Sequence, residues 1–257
     1  MPSSSNPITE MFEQQIPREI DPASGLPVGP AVARADPAAT PARQALDGQY
    51  CRLEPFDPKR HADQLYAAST PADAAAKFLY LLETAPQSRQ EVFDWMTQAA
   101  QRQDPLFFAV IDKQTGRVEG RQALMRITPA QQCLEIGSIY WGPAIAGTRV
   151  ATEANFLFAQ YAFDQLGYRR YEWKCNALNM PSRRAALRFG FSYEGHFRRA
   201  MIIKGRSRDT SWFSIIDDDW PALKAAYQRW LAPENFDAEG RQKTRLSDLT
   251  KSLAQAR

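Results

Sequence analysis

Tyr168–Thr210 reads YRRYEWKCNALNMPSRRAALRFGFSYEGHFRRAMIIKGRSRDT. Its apolar residues alternate through Arg170–Cys175, take helical spacing through Pro181–Phe189, and return to alternation from Ser192 to Phe197. Asn179 stands where a helix N-cap belongs, Pro181 falls in the first turn, where a missing N–H costs least, and Ser182 follows inside that turn. Gly190 ends the helix. Eleven Arg and Lys residues lie between Arg169 and Arg208 against two acids, Glu172 and Glu194, so this window carries a charge of +9 in a chain whose total is +3. A strand feeding a helix start amid positive charge suits a phosphate-bearing ligand. The same charges also read as a solvated basic face, and Asn179 and Ser182 as capping residues alone.

A second strand-to-helix turn lies upstream. Cys133–Trp141 alternates as a strand, WGPAIAGTRVATE (Trp141–Glu153) turns, and Thr152–Leu166 places Ala154, Leu157, Phe158, Tyr161 and Ala162 on one helical stripe before Gly167. The free N–H groups of its first turn form an anion site, to which Thr148 and Thr152 add hydroxyls and Arg149 a charge. An ordinary capped helix, with Thr148 as cap and Glu153 near the positive end, reads equally from these residues. The glycine pattern of a nucleotide-triphosphate loop or a Rossmann fingerprint is missing. Two adjacent units whose helices begin at one sheet edge would share a cleft there.

Around this pair the pattern predicts a first strand at Gly48–Pro55, helices at His61–Ala68, Ala72–Leu82 and Arg89–Gln101, and strands at Leu106–Asp112 and Arg117–Ile127. A last strand follows at Arg208–Asp217, and a helix at Pro221–Leu231. Residues 1–46 read as an irregular Pro/Ala-rich arm, 47–231 as the folded domain and 232–257 as a polar tail. The order of elements predicts a mixed α+β domain with a mostly antiparallel sheet.

With 44% hydrophobic residues the 257-residue chain can build a sizeable core. Three widely spaced cysteines, Cys51, Cys133 and Cys175, suggest neither a disulfide framework nor a zinc site, and point to reduced thiols in the cytoplasm. Only two histidines, His61 and His196, are present, which excludes a three-histidine metal site; no metal is expected. No apolar run reaches membrane-spanning length, and MPSSSNPITEMFEQQ lacks the charged start and apolar stretch of a secretory signal. No RNA- or DNA-binding motif accompanies the basic window, so no nucleic-acid partner is expected.

The segments GTRVATEA (Gly147–Ala154), YAFDQLGYRRYEWKCNALNMPSRRAALRFGFSYEG (Tyr161–Gly195), FR (Phe197–Arg198) and KGRSRDT (Lys204–Thr210) resemble the GNAT-type N-acetyltransferases, in the branch of the ribosomal-protein N-terminal acetyltransferases. More loosely the resemblance covers residues 48–231. It implies a GNAT-like sheet whose two central strands splay to form an acyl-CoA cleft, acetyl-CoA as donor, and a primary amine, either a protein N-terminus or a small molecule, as acceptor. The pantetheine arm would meet Ile139, Tyr140 and Trp141. The diphosphate would meet Gly147, Thr148, Arg149, Val150, Ala151 and Thr152, and the thioester end Asn179 and Ser182. A homodimer is compatible with it. The chain departs from the family's phosphate loop at Ala146, where Gln or Arg is usual, and at Arg149, where glycine is usual. It also departs at Met201, where some ribosomal-protein acetyltransferases carry a glutamate.

These residues suggest direct transfer in a ternary complex. A backbone N–H near Ile139–Trp141 would hold the oxyanion, Ser182 and Asn179 would act at the thioester, and Glu135 would be the base, ranked above Glu172 and Glu194 because its strand should line the cleft. Cys175 has no histidine placed to activate it as a nucleophile. The competing expectation is a domain that binds acyl-CoA without turnover.

Overall fold

The computed structural model describes residues 16–254. Residues 16–36 form one unit, in which β1 (Glu19–Ile20) and β2 (Pro27–Val28) make a two-stranded antiparallel ribbon. From Pro37 onward the chain is a second unit holding the remaining elements. The folded domain thus starts earlier than the predicted boundary at residue 47: Ala38 and Leu46 are buried, and Ala39 donates its N–H to Leu166 O.

The larger unit is built on a sheet of eight strands: β3 (Leu46–Asp47), β4 (Cys51–Pro55), β5 (Leu106–Asp112), β6 (Arg117–Thr128), β7 (Cys133–Trp141), β8 (Arg170–Asn176), β9 (Ser192–Ile203) and β10 (Arg206–Ile216). Their spatial order is β3-β4-β5-β6-β7-β8-β10-β9, antiparallel throughout except for the parallel pair β7–β8. This is the mixed, mostly antiparallel α+β architecture that the pattern predicts. Strand alternation assigns side chains to two cores. In β5, Leu106, Phe108 and Val110 face one cluster with Phe158 and Ala154, while Phe107 and Ala109 face another with Leu65 and Met96.

The second cluster is covered by α1 (Pro58–Ser69), capped by Asp57, and α3 (Arg89–Gln101), capped by Ser88. The expected helix over Ala72–Leu82 shrinks to the single turn α2 (Ala74–Lys77), after which Leu79 and Leu82 are exposed. The first cluster is covered by α4 (Arg149–Gln160), α5 (Met180–Arg188) and α6 (Trp220–Leu231). α4 continues as a wider turn over Tyr161–Leu166 and stops at Gly167, whose φ of +74° suits glycine.

Two segments depart from expectation. β9 and β10 extend past Phe197 and Arg208 into a hairpin closed by Lys204 and Gly205, both at positive φ, as a two-residue primed turn requires. The alternation is hidden there because most of the outer hairpin is exposed. The segment after Ala232, read as a polar tail, carries α7 (Leu246–Ala254); Phe236 and Leu246 are buried in the first core. Among the described residues no helix is long and apolar enough to cross a membrane.

Candidate active site

Pairing between β7 and β8 runs from Cys133–Ile136 against Arg170–Trp173 and then stops. Beyond it β7 turns toward β6 and β8 toward β10, and the gap opens into a cavity of about 850 Å³. The cause of the divergence is local. Arg121 of β6 faces Tyr140 and Ala123 faces Gly137, so β7 spends one residue more than β6 over the same span. The resulting bulge puts Ser138 at a φ of +47° and leaves Ser138 and Ile139 without partners in the β6 register. Arg121, its side chain 3% exposed, holds the bulge: its guanidinium donates to Ser138 O at 2.6 Å, pairs with Glu83 at 3.1 Å and lies 4.7 Å from the Trp95 ring. This arginine's role is invisible in the sequence, because its partners are 17 and 38 residues away.

Both helix starts converge on the cavity, as expected. At α5, Asn179 Oδ1 accepts from Ser182 N at 3.2 Å, and Ser182 Oγ accepts from Trp173 Nε1 at 3.0 Å. Trp173 is a donor only, so Ser182 keeps its own O–H to donate, and the Cys175 sulfur is within its reach. Trp141, Trp173 and Phe189 wall the gap with ring centroids 5.8–6.3 Å apart. Cys175 lines the cavity too, but burial pushes its thiol up, away from the thiolate a nucleophile needs. Neither histidine lines it.

At α4 the expected residues divide. Gly147, Ala151 and Thr152 line the cavity. Thr148 caps the helix by accepting from Val150 N at 3.2 Å. Arg149 points elsewhere: its guanidinium lies 4.5 Å from the Tyr50 ring and 5.4 Å from Phe236, beside a second cavity that Thr148 and Val150 also line. Glu153 does not serve the helix start; it is buried and accepts from the N–H groups of Gln49, Tyr50 and Cys51 at 2.6–2.8 Å. On the cavity side Arg188 of α5 reaches this helix start, donating to Thr152 Oγ1 at 3.1 Å between the rings of Phe189 and Trp230. No carboxylate lies within salt-bridge reach of it among the described residues, and burial draws its pKa down.

Ile139 and Trp141 line the cavity, as does Tyr140, whose hydroxyl is committed to Ala68 O at 2.7 Å and pushed up to about 12 by burial. Glu135 is buried, 3.1 Å from Lys174 and 3.0 Å from Arg126, and burial raises its pKa despite both cations. Lys174 bridges on to Glu172 at 2.5 Å, Arg170 joins Glu172 to Glu194, and Ser214 donates to Glu194 at 2.7 Å. Glu172 and Glu194 are therefore structural partners rather than free bases. For Glu172, burial acts upward but the Lys174 and Arg170 hydrogen bonds outweigh it, so its pKa falls.

A family model described as an acetyltransferase (GNAT) domain matches residues 51–192. The chain belongs to the GNAT acetyltransferases. It is 57% identical to a GCN5-related N-acetyltransferase from Brucella melitensis, over 84% of this chain and 98% of that one, with a TM-score of 0.83. A GNAT-family structure from Chromobacterium violaceum ATCC 12472 is 34% identical over 77% and 98% of the two chains, with a TM-score of 0.71. The microcin C7 self-immunity acetyltransferase MccE, solved with acetyl-CoA and AMP, shares the fold at 22% identity over 66% and 93% of the chains, with a TM-score of 0.58. No curated protein matches the chain significantly. As a GNAT member the protein is an acyltransferase, and the parting of β7 from β8 is where its sheet opens.

Proposed function

We propose that this protein transfers the acetyl group of acetyl-CoA directly to a primary amine, in the manner of the ribosomal-protein N-terminal acetyltransferases whose motifs it resembles. The observation that carries the reading is the convergence of a strand bulge and two helix starts on one cavity between β7 and β8. The lining fits the donor: an apolar wall of Trp141, Trp173 and Phe189 suits a pantetheine arm, and Arg188 over the first turn of α4 suits the diphosphate, taking the place left by Ala146. Acetyl-CoA in the MccE structure accords with this. Three free cysteines fit a reducing compartment, and on that ground we place the protein in the cytoplasm.

In this reading the thioester carbonyl sits at the bulge, where a backbone N–H of the Ile139–Trp141 stretch stabilises the oxyanion. Glu135 takes the ammonium proton, directly or through one water; its raised pKa improves it as a base. The free amine attacks the carbonyl carbon; as the tetrahedral intermediate collapses, the C–S bond breaks and the second excess proton on nitrogen passes through water to the departing thiolate, to which Ser182 donates a hydrogen bond while Asn179 fixes the turn that presents it.

The test is mass spectrometry of an amine and peptide library incubated with enzyme and acetyl-CoA, using the native chain, Ser182→Ala and Glu135→Gln. One acetyl group added to amines by the native chain, with slower transfer in both variants, is the expected result. Tight acetyl-CoA binding without transfer to any amine would identify a non-catalytic acyl-CoA-binding domain instead.

A further inference from the structure

The amine-acetylating reading leaves a half-buried charge in the cavity unexplained; Arg184, which also lines it, is exposed. Arg208 of β10 lines the cavity half-buried, yet makes no ion pair among the described residues. Every acid around it is already committed. Glu135 pairs with Lys174 and Arg126, Glu172 with Lys174 and Arg170, and Glu194 with Arg170; Asp209 accepts from the backbone N–H of Arg199 at 2.7 Å.

The surroundings of Arg208 are short of acceptors. Its Nε is enclosed without a partner, and so are Thr210 Oγ1 and Trp212 Nε1, from the residues two and four positions along the same strand that also line the cavity. Alternation puts these three side chains on one face of β10. Lys204, in the β9–β10 turn, donates to the carbonyls of Phe78 and Glu83, so the outer hairpin is tied to the segment after α2. A partly desolvated guanidinium with no counter-charge is costly unless an anion arrives to meet it.

Resting on the amine-acetylating reading, we propose that Arg208 receives a carboxylate of the acceptor, so that the preferred substrates are amines that also bear a carboxylate. The pair of charges gives the acceptor a direction: its ammonium turns to Glu135 and its carboxylate to Arg208. A free amino acid and a peptide with an acidic N-terminal residue share this chemistry.

Matched pairs test it and separate the two sources. L-phenylalanine is compared with 2-phenylethylamine, and a tripeptide amide beginning with Asp with the same peptide beginning with Asn. In the native chain the carboxylate-bearing member of at least one pair should be favoured on the order of 10- to 100-fold in kcat/KM, the range of a charge-assisted hydrogen bond. Arg208→Leu should bring that ratio toward one, and Arg208→Lys should retain part of it. Arg206→Leu, at an exposed position two residues away, should keep the native ratio. A native ratio near one in both pairs overturns the proposal, whatever the fold of the variants, and so does a ratio that survives Arg208→Leu in folded protein.

A second measurement does not depend on turnover. The N-acetylated form of each compound is titrated calorimetrically into the chain with coenzyme A present. If no amine is acetylated but the carboxylate-bearing compounds bind more tightly in an Arg208-dependent way, the carboxylate seat stands and the transfer reading falls. Equal binding of both members of each pair overturns the seat.

Discussion

The two ends of the cavity are built from different kinds of material. The end proposed to hold the donor is made by two strand-to-helix turns, each capped within a few residues of itself: Thr148 on Val150 N, Asn179 on Ser182 N. The other end, assigned above to the acceptor, is a sheet face where Arg126 of β6, Glu135 of β7 and Lys174 of β8 meet at the cavity, and from Lys174 the ion pairs run on through Glu172 and Arg170 of β8 to Glu194 of β9. The first draws on backbone N–H groups that any helix start supplies. The second depends on each buried charge finding its partner across strands, where an orphaned charge is expensive. Damage should therefore show as lost donor affinity at one end and as lost stability at the other.

The largest effect should come from Lys174→Met, which leaves Glu135 and Glu172 buried without their shared cation. A loss of about 3–5 kcal/mol in urea unfolding is expected. Lys224→Met, at the more exposed pair with Asp164, should cost at most about 1 kcal/mol. Equal losses would erase the contrast between a buried network and a surface pair.

The bulge between the two ends comes next. Arg121→Leu should lower kcat on the order of 10²-fold, the cost of misplacing an oxyanion donor. Some stability goes with it, because Glu83 loses its partner. Steady-state kinetics on the folded fraction should show a smaller change in the KM for acetyl-CoA, and Arg121→Lys should recover part of kcat.

At the donor end, Arg188→Ala should raise the KM for acetyl-CoA roughly 10- to 100-fold, with a smaller effect on kcat. If Arg149→Ala raised it more, the assignment of the diphosphate to the Arg188 side would be wrong.

The carboxylates of the ion-pair network should also separate by pH. Glu172 and Glu194 titrate below the ordinary value of 4.5, so the folded state binds their protons more weakly than the unfolded state. Their stabilisation is complete above that value and is lost as the pH falls from it through the lower folded-state pKa. Glu135 has the opposite sign: its raised pKa means that ionisation above pH 4.5 costs stability until the folded group has titrated. Glu172→Gln should therefore lower stability at pH 7 far more than at pH 3. The rise of kcat/KM with pH, in a step above 4.5, should disappear in Glu135→Gln.

The smallest effect is that of Arg149→Ala on stability, about 0.5–1 kcal/mol from its stacking on Tyr50 and Phe236.

The two helix starts were legible because their signals are local. Asn179, Pro181, Ser182 and Gly190 mark a helix within twelve residues, and β5, β7 and α3 span the residues that alternation and helical spacing predict. What escaped was long-range. Arg149 and Arg188 are both arginines near helix ends, and only the fold turns one toward Tyr50 and the other toward Thr152. The polar run after Ala232 hid a helix because Phe236 and Leu246 are isolated apolar residues that gain their core from elsewhere: Phe236 packs on Tyr50 and Trp230, and α7 packs on α6 and α5.

By itself, then, the sequence determined the order of strands and helices, the two turns that start α4 and α5, and the basic character of the cavity, since periodicity, capping and charge are properties of neighbouring residues. Tertiary structure decided the parting of β7 from β8, the bulge pinned by Arg121, and which cations keep a free charge. Those outcomes depend on which residues, tens of positions apart, a folded sheet brings within hydrogen-bond reach.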